Sequence, residues 1–471
     1  MKKELNGETR GYDVDMTNGS VFLHILKFSL PLVAGNLFQQ LYNMVDTWVV
    51  GNYVSDAAFS AVGTVAPVIN MLIATFIGFA SGAGVVISQY YGAKEPQKVQ
   101  EAVHTSVVMT VLLTAAFTLI GVGMTPFMLR LMKTPAEVFP QSYTYLTIYF
   151  SGMAGLLFYN MGAAILRAVG DSRRPFYFLV AAAVINTVLD LLFVIRFQMG
   201  VAGVAYATVI AQAVSATLTV ITLLRTKSAV NVKIRQLRMH RNMMRQIVRV
   251  GIPAALQMAI TAFSNVFVQS YINQFGKACM GGWTAYHKMD QLVFLPMQSI
   301  GLAVTTFVGQ NLGSGKEERA RYGVRTALAM SMGITLAVSA AVIGFAPALV
   351  AFFNDTPEVV RYGTMFLRDL TPFYVLCCVN QIYACALRGA GNSKTPMIIM
   401  LGSFVVFRQI YLFVVSNFIA NEILPLAMSY PAGWMMCSLC ILLYYHRIGL
   451  RGVQIAGGEK AAGQEIYPGE E

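Results

Sequence analysis

The sequence predicts an all-α polytopic membrane protein in which twelve transmembrane helices form two pseudo-symmetric six-helix bundles. Three observations indicate this fold class. The chain of 471 residues is 56% hydrophobic and only 12% charged, whereas a soluble domain carries about 25% charged residues. Its apolar residues fall into long segments, and a helix needs about 20 such residues to cross a bilayer. The two halves of the chain also repeat one another.

The apolar residues are grouped into twelve segments separated by polar connections. Backbone groups inside a bilayer must be hydrogen-bonded within the protein, and a single segment of this length can achieve this only as a helix. We therefore predict one transmembrane helix in each segment. The segments cover residues 25–50, 58–87, 103–127, 142–166, 175–195, 201–224, 248–273, 283–311, 324–350, 363–387, 396–418 and 423–446.

Connections that are rich in lysine and arginine alternate along the chain with connections that are poor in them. Counted together with the adjoining ends of the segments, the two tails and the even-numbered connections hold 26 of the 34 basic residues, whereas the odd-numbered connections hold five. Cytoplasmic loops of membrane proteins carry such an excess. The pattern predicts a multi-pass protein of the cell membrane, the inner membrane in a bacterium, with both termini in the cytoplasm. It also explains the net charge of +12 without any binding to nucleic acid.

The longest internal connection separates two groups of six segments, and the stretch from Arg225 to Arg249 carries eight basic and no acidic residues. Its MRQIVRV segment is expected to lie along the cytoplasmic membrane surface, and the polar tails are expected to be disordered. We predict an N-terminal tail, an N-lobe, a basic linker, a C-lobe and a C-terminal tail. These parts cover residues 1–24, 25–224, 225–247, 248–446 and 447–471.

The two halves share motifs at a nearly constant spacing. The sequence LRAVGDSRRP at 166–175 corresponds to LRGAGNSKTP at 387–396, an offset of 221 residues (387 minus 166). The same offset pairs Gln89 with Gln310. Six segments separate the copies, so both have the same orientation in the membrane. A parallel repeat of this kind predicts a binding site between the halves.

The first apolar segment carries a polar stripe. Residues spaced i, i+3, i+4 and i+7 share one helical face, and an aspartate follows one turn later. A carboxylate at membrane depth costs a few kcal/mol, so it is a functional-site hypothesis. The alternative is a helix-end aspartate that reaches interfacial water. The stripe consists of Asn36, Gln39, Gln40 and Asn43, and the aspartate is Asp46.

Further polar residues are concentrated in the fourth, fifth and sixth segments. Asn186 and Asp190 are spaced i, i+4 and share a face, whereas the repeat-related positions hold Phe407 and Tyr411. With oxygen donors and neither sulfur nor imidazole, this set suits a proton or a hard cation. Asn160 and Gln212, taken singly, are better explained by hydrogen bonds between helices. The other members of the set are Asn160, Thr208 and Gln212.

The second half has ionisable residues of its own. Asp290 is expected to pair with Lys288 or a neighbour, and Asp369 is expected to pair with Arg408. We interpret both as structural ion pairs. A second ion-binding site built on these two acids is the alternative.

The chain resembles the multidrug and toxic compound extrusion (MATE) family over residues 20–450. The resemblance depends on FSLPLVAGNLFQQLYNMVDTWVVG at 28–51, on the paired LRAVGDSRRP and LRGAGNSKTP motifs, and on GQNLG at 309–313. It implies a V-shaped arrangement of the two lobes. It also implies secondary antiport, in which cationic drugs leave in exchange for H⁺ or Na⁺.

In the DinF-like branch of that family, the cation site uses an aspartate in the first helix, an asparagine and an aspartate in the fifth, and a threonine in the sixth. The resemblance thus implies a site at Asp46, Asn186, Asp190 and Thr208. Another branch uses acids in helices 7, 8 and 10. Here helix 7 has none, so Asp290 and Asp369 are only a possible second site.

We therefore expect an ion-coupled multidrug efflux antiporter that exports organic cations or amphiphiles by alternating access between its lobes. Its partners would be the substrate, the coupling ion and membrane lipid, and it would be monomeric, without a cofactor or a metal other than Na⁺. An enzyme is not expected, since no HExxH, GxSxG or phosphate-binding loop is present. The expected cavity residues are Asn36, Gln39, Gln40, Asn43, Asn160, Gln212 and Asn265.

A flippase for a lipid-linked saccharide is the alternative function. Such a protein should line its cleft with arginines that hold a pyrophosphate. Within the predicted segments we find only Arg368 and Arg408, with Lys288 at a segment end. This small number favours the antiporter.

Overall fold

The computed structural model describes residues 13–450, apart from residues 55 and 133. Asp46 lies within a described helix, but its side chain is outside the described part. Twelve membrane-spanning helices, α1 to α12, follow one another in the described part. They are Val21–Tyr53, Asp56–Gly92, Pro96–Leu131, Phe139–Ser151 continued by Met153–Ala168, Arg173–Arg196, Gly200–Arg225, Arg241–Asn273, Lys277–Gly313, Glu317–Gly344, Pro357–Gly389, Lys394–Ile419 and Ile423–Ile448.

The predicted fold class is confirmed. Eleven of these helices are long and apolar enough to cross a membrane singly, and α4 crosses as two helices that bend by 47°. The bend falls at Gly152, where a Cβ atom would lie 2.2 Å from Cγ1 of Val209 on α6. Glycine therefore allows α4 to bend while it stays packed against α6.

Helix α7 differs from the prediction at its start. It begins at Arg241, so the MRQIVRV segment forms its first turns. Ile247 and Val250 are fully buried in the protein. The prediction that this segment lies along the membrane surface is therefore wrong, because its apolar face is covered by neighbouring helices.

The two halves of the chain meet along α2 and α7. A Cβ atom on Gly82 would lie 2.5 Å from the backbone of Gly251, and one on Gly78 would lie 2.6 Å from the backbone of Ala255. Such distances are shorter than those between non-bonded carbon atoms, so only glycine permits the two helices to approach so closely. Small residues thus set the distance between the halves, as is common where membrane helices pack.

One end of the bundle carries both ends of the described part of the chain and the even-numbered connections, and we call it the basic face. There Gln89 Nε2 donates a hydrogen bond of 2.9 Å to the carbonyl of Gly389, and Gln310 Nε2 donates one of 2.9 Å to the carbonyl of Ala168. Both glutamine side chains are buried. We call this reciprocal pair of bonds the glutamine clasp, and it joins the two halves.

The ends of α2 and α8 also cross closely at the basic face. A Cβ atom on Gly92 would lie 1.9 Å from the carbonyl oxygen of Gln310, and one on Gly313 would lie 1.9 Å from that of Gln89. No side chain fits into either space. The closed arrangement of the basic face thus requires glycine at both repeat-related positions.

Residues 13–18, the N-terminal strap, cross the basic face before α1 begins. On one side the Val14 N–H donates to the Val169 carbonyl at 2.9 Å, and Asp15 accepts a bond of 2.6 Å from Lys94 Nζ. Burial would raise the pKa of Asp15, but hydrogen bonds from Lys94 and Thr17 outweigh it and lower the pKa from 3.8 to about 2. The strap is therefore attached to the first half by an ionised carboxylate.

The strap contacts the second half as well. The N–H of Met16, which is 1% exposed, donates to Oε1 of Gln310 at 2.9 Å, and Lys316 Nζ donates to the Thr17 carbonyl at 2.9 Å. The expectation that the whole N-terminal tail is disordered is thus wrong for residues 13–18. They are ordered because both halves bind them.

Candidate functional site

A cavity of about 180 Å³ lies within the first half of the chain. On the same measure a single water needs only about 10–15 Å³, so the cavity has room for a larger occupant. Its walls come from α1, α2, α4, α5 and α6, and α8 of the second half closes one side. The polar side chains among its lining residues are Asn36, Gln39, Tyr42, Ser81, Tyr159, Asn160, Arg167, Asn186, Thr208, Gln212, Ser215, Thr305 and Thr306.

Six of the residues singled out in the sequence meet in this cavity, although they come from four different helices. They are Asn36, Gln39, Asn160, Asn186, Thr208 and Gln212. Three others are placed elsewhere. Gln40 and Asn43 on α1 are half-buried and exposed, respectively, and do not line the cavity. Asn265 on α7 accepts a hydrogen bond of 2.8 Å from Arg408 in the second half.

The amide of Asn186 has no hydrogen-bond partner within the described part of the chain, although its side chain is buried. A buried polar group without a partner costs about 1–3 kcal/mol. Asp190 lies one turn further along α5 and is 0% exposed, and the helix then continues as a π-turn from Leu192 to Arg196. Such turns are frequent at functional sites. This end of the cavity thus combines an unsatisfied amide with a buried carboxylate.

Two further polar side chains each donate a hydrogen bond to a backbone carbonyl of their own helix. Thr208 Oγ1 donates to the Val204 carbonyl at 3.0 Å, and Asn160 Nδ2 donates to the Leu156 carbonyl at 2.8 Å. These bonds leave the hydroxyl lone pairs of Thr208 and the side-chain carbonyl of Asn160 as acceptors. Carboxylate, carbonyl and hydroxyl oxygens are the donors that a hard cation prefers.

The cavity also touches the boundary between the halves. Asn36 Nδ2 on α1 donates a long hydrogen bond of 3.4 Å to Ser299 Oγ on α8, and Thr305 and Thr306 of α8 line the wall. A movement of one half against the other would therefore change the shape of the cavity.

Arg167 is a cavity residue that was not predicted from the sequence. We assigned it to a connection, but α4 continues to Ala168 and the Arg167 side chain lines the cavity. Its repeat-related residue, Arg388, is 4% exposed inside α10. The statement that the membrane segments hold only Arg368 and Arg408 is thus wrong. The sequence does contain a pattern that could have predicted this. Both arginines directly follow a long apolar segment, and both belong to the repeated Leu-Arg pair.

Of the two acids of the second half, Asp290 lies beside a neighbour in sequence, as predicted, whereas Asp369 is not paired with Arg408. Asp290 accepts a hydrogen bond of 2.5 Å from the Tyr374 hydroxyl and lies 3.9 Å from Nδ1 of His287. The Arg408 guanidinium donates to Ser264 Oγ at 2.9 Å. The predicted pair of Asp369 and Arg408 is therefore wrong, because Arg408 is bonded to α7.

The chain matches a known family twice. The family model described as MatE matches residues 31–192 and again residues 253–414. The two matches cover both halves, which agrees with the internal repeat.

Several curated proteins are similar over most of their length. The "Probable multidrug resistance protein YpnP" of Bacillus subtilis is 28% identical over 435 residues, which is 92% of this chain and 97% of that protein. The "Probable multidrug resistance protein NorM" of Thermotoga maritima is 25% identical over 80% of this chain and 81% of that protein. The "Multidrug export protein MepA" of Staphylococcus aureus is 22% identical over 82% and 86%, respectively.

Solved structures share the fold. A transporter of the MOP superfamily from Pyrococcus furiosus matches with a TM-score of 0.88 at 23% identity, over 94% of this chain and 99% of that chain. The outward-facing conformation of a multidrug resistance MATE family transporter matches with the same score, identity and coverage.

Proposed function

The chain belongs to the MATE family of multidrug efflux transporters, and from this premise we propose that it exports cationic or amphipathic organic compounds in exchange for H⁺ or Na⁺. The observation that carries the proposal is the cavity of the first half. Its amide and hydroxyl groups would bind the substrate. The buried Asn186 and Asp190 at its end would bind the coupling ion, together with Thr208 and Asp46.

The coupling follows from the proximity of the two sites. Asn186 belongs to both, since it lines the cavity and shares a helical face with Asp190. A proton or Na⁺ on Asp190 would remove a negative charge that attracts a cationic substrate, because charges interact strongly where water is scarce. The ion and the substrate would therefore exclude one another, which is what antiport requires.

The direction of transport follows from the basic face. By the charge distribution this face is cytoplasmic, and both termini would lie in the cytoplasm of a cell-membrane protein. The glutamine clasp and the N-terminal strap close the same face. The described state would thus release substrate outward, and rocking of the N-lobe, residues 25–224, against the C-lobe, residues 248–446, would open the cytoplasmic side.

Efflux from proteoliposomes tests the proposal. Ethidium serves as the cationic substrate, and a Na⁺ gradient and a pH gradient are imposed separately. We expect ethidium to move against its own gradient under one of them. The absence of movement under both gradients would contradict the proposal and favour the flippase, which an assay of lipid-linked sugar would then test.

A further inference from the structure

Arg167 in the last turn of α4 is a cation inside a cavity that we propose for cationic substrates. Its side chain is half-buried and lines the cavity. It makes no hydrogen bond and no ion pair within the described part of the chain. A partly buried charge without a partner is unfavourable, and buried charges in proteins are normally paired. A ligand of opposite charge would supply the missing partner.

The second half shows how the repeat-related arginine is held by another side chain of the protein. Its repeat-related residue Arg388 is buried, and Nη2 donates to Oε1 of Gln257 at 3.3 Å. Gln257 in turn contacts Met400, with 3.0 Å between Nε2 and Sδ. In that half a side-chain amide of the protein accepts a hydrogen bond from the guanidinium.

The first half lacks this amide. Pro31 and Pro253 are 222 residues apart (253 minus 31), and at the same spacing Gly35 corresponds to Gln257. A Cβ atom on Gly35 would lie 3.4 Å from Leu179, and Leu179 corresponds to Met400 at the offset of 221. The environment of Gly35 therefore matches that of Gln257, but the side chain that would reach the arginine is absent.

Two other lining positions are smaller in the first half as well. At the offset of 221, Gly84 corresponds to Thr305, and Ala164 corresponds to Cys385. Thr305 Oγ1 donates to the Cys385 carbonyl at 3.2 Å, so these residues pack together in the second half. Space that is filled by side chains there is open beside Arg167.

We propose that Arg167 binds the carboxylate, or another anionic group, of the transported compound. This inference rests on the proposed function and names its substrate class, namely zwitterionic amphiphiles. Their cationic part would lie towards Asn186 and Asp190, and their anionic part would lie at Arg167, near the closed basic face. Arginine suits this role because its guanidinium forms two parallel hydrogen bonds with a carboxylate.

A matched pair of dyes tests the inference with purified protein. Rhodamine B carries a xanthylium cation and an ionised carboxylate, whereas its ethyl ester carries the same cation alone. Binding of each dye is followed by fluorescence anisotropy. We expect Arg167→Gln to weaken the binding of rhodamine B by roughly tenfold to a hundredfold, the range for a hydrogen bond to a charged group. The binding of the ester should not weaken, because the variant removes a positive charge that repels it.

Three further variants complete the test. Arg167→Lys keeps the charge and should retain part of the binding of rhodamine B. Gly35→Gln introduces the amide that Gln257 provides in the second half, and it should weaken the binding of rhodamine B as Arg167→Gln does. Arg173→Gln is the matched control, since Arg173 is exposed at the basic face, and it should bind both dyes as the wild type does.

The outcomes separate this inference from the proposed function. Equal losses for both dyes in Arg167→Gln, in protein that elutes as a single folded species, would mean that Arg167 only maintains the shape of the cavity, and would overturn the inference. Equal binding of both dyes by all variants would overturn it too, while the proposed function would stand. Failure of the wild type to bind either dye would contradict the proposed function itself.

Discussion

Gln89 and Gln310 occupy repeat-related positions, and each donates a hydrogen bond of 2.9 Å across the interface to a backbone carbonyl of the other half. The acceptors, Ala168 and Gly389, are also related by the offset of 221. The basic face is thus closed by the same contact made twice. Because Gln310 also accepts the N–H of Met16, the N-terminal strap completes this closure.

Removal of the glutamine clasp should open the basic face. Gln89→Leu and Gln310→Leu each remove the clasp hydrogen bond, which contributes about 0.5–1.5 kcal/mol, and leave its carbonyl acceptor unpaired; Gln310→Leu also removes the bond from the Met16 N–H. Each should increase the open population by roughly twofold to tenfold, since 1.4 kcal/mol is a factor of ten. Spin labels at Gln97 and Glu318, on opposite sides of the basic face, report the change as longer distances by double electron–electron resonance.

The control for this experiment is Asn417→Ala, because among the described residues its amide bonds only to the Phe413 carbonyl of its own helix. It should leave the distances between the labels unchanged. Distances in both glutamine variants that match those of the wild type would show that the clasp does not hold the face closed.

A side chain at the helix crossing should prevent closure altogether. In Gly92→Ala and Gly313→Ala the new Cβ atom would lie 1.9 Å from a carbonyl oxygen, so the closed state can form only if the backbone shifts. The same labels should report a predominantly open basic face. In Gly333→Ala the new atom has no neighbour within 4 Å, so this variant should behave as the wild type. A closed face in Gly92→Ala would contradict the account of the crossing.

The attachment of the N-terminal strap should weaken when the Asp15 carboxylate is removed, but it should not weaken at moderately acidic pH. Because the pKa of Asp15 is lowered to about 2, its contribution is fully present above the unfolded pKa of about 4 and is lost as pH falls through about 2. Hydrogen exchange at Val14 and Met16, corrected for intrinsic rates, should therefore be protected equally at pH 5 and pH 8.

Asp15→Asn should accelerate exchange at these two amides at neutral pH. The increase should be less than about fivefold, because exposed ion pairs contribute only about 0.2–1 kcal/mol. Glu101→Gln, on α3, is the matched control and should leave the exchange unchanged. Protection that falls sharply between pH 8 and pH 5 would mean that another group holds the strap.

Asn186 should matter for the coupling ion and not for stability. Its amide has no partner in the described part of the protein, so Asn186→Leu should leave the melting temperature in detergent unchanged or raise it. The stabilisation by the coupling ion should be lost. In contrast, Asn380 donates to the Trp434 carbonyl at 3.1 Å and accepts from Ser438 at 2.8 Å, so Asn380→Leu should destabilise the protein by about 1–3 kcal/mol.

Thermal unfolding of both variants, with and without Na⁺ and at two pH values, measures these effects. A loss of stability in Asn186→Leu that equals the loss in Asn380→Leu would indicate a purely structural amide. An undiminished shift by the coupling ion in Asn186→Leu would also contradict the proposed role.

The helices and most of the cavity could be predicted from the sequence because they depend on local patterns. Runs of apolar residues define the helices, and helical spacing places Asn36 with Gln39 and Asn186 with Asp190 on shared faces. The same reasoning included Asn43, which is exposed, because a stripe defines a face but not where along the helix the cavity ends.

Contacts between distant parts of the chain could not be predicted in this way. Arg408 bonds to Ser264 and Asn265 rather than to Asp369, and only the packing of α11 on α7 determines this. The order of the strap depends on Gln310 and Lys316, some 300 residues away. Arg167 was missed because charge alone assigned it to a loop, although its helix extends to Ala168.

The most direct test of the account compares two modes of transport in one variant, Asp190→Asn. Reconstituted protein is assayed for ethidium efflux driven by the ion gradient and for ethidium exchange without any gradient. The account predicts that gradient-driven efflux is lost while exchange persists, because the substituted residue binds the ion and the cavity remains. Gradient-driven efflux at the wild-type rate would contradict the claim that the cavity of the first half couples the ion to the substrate.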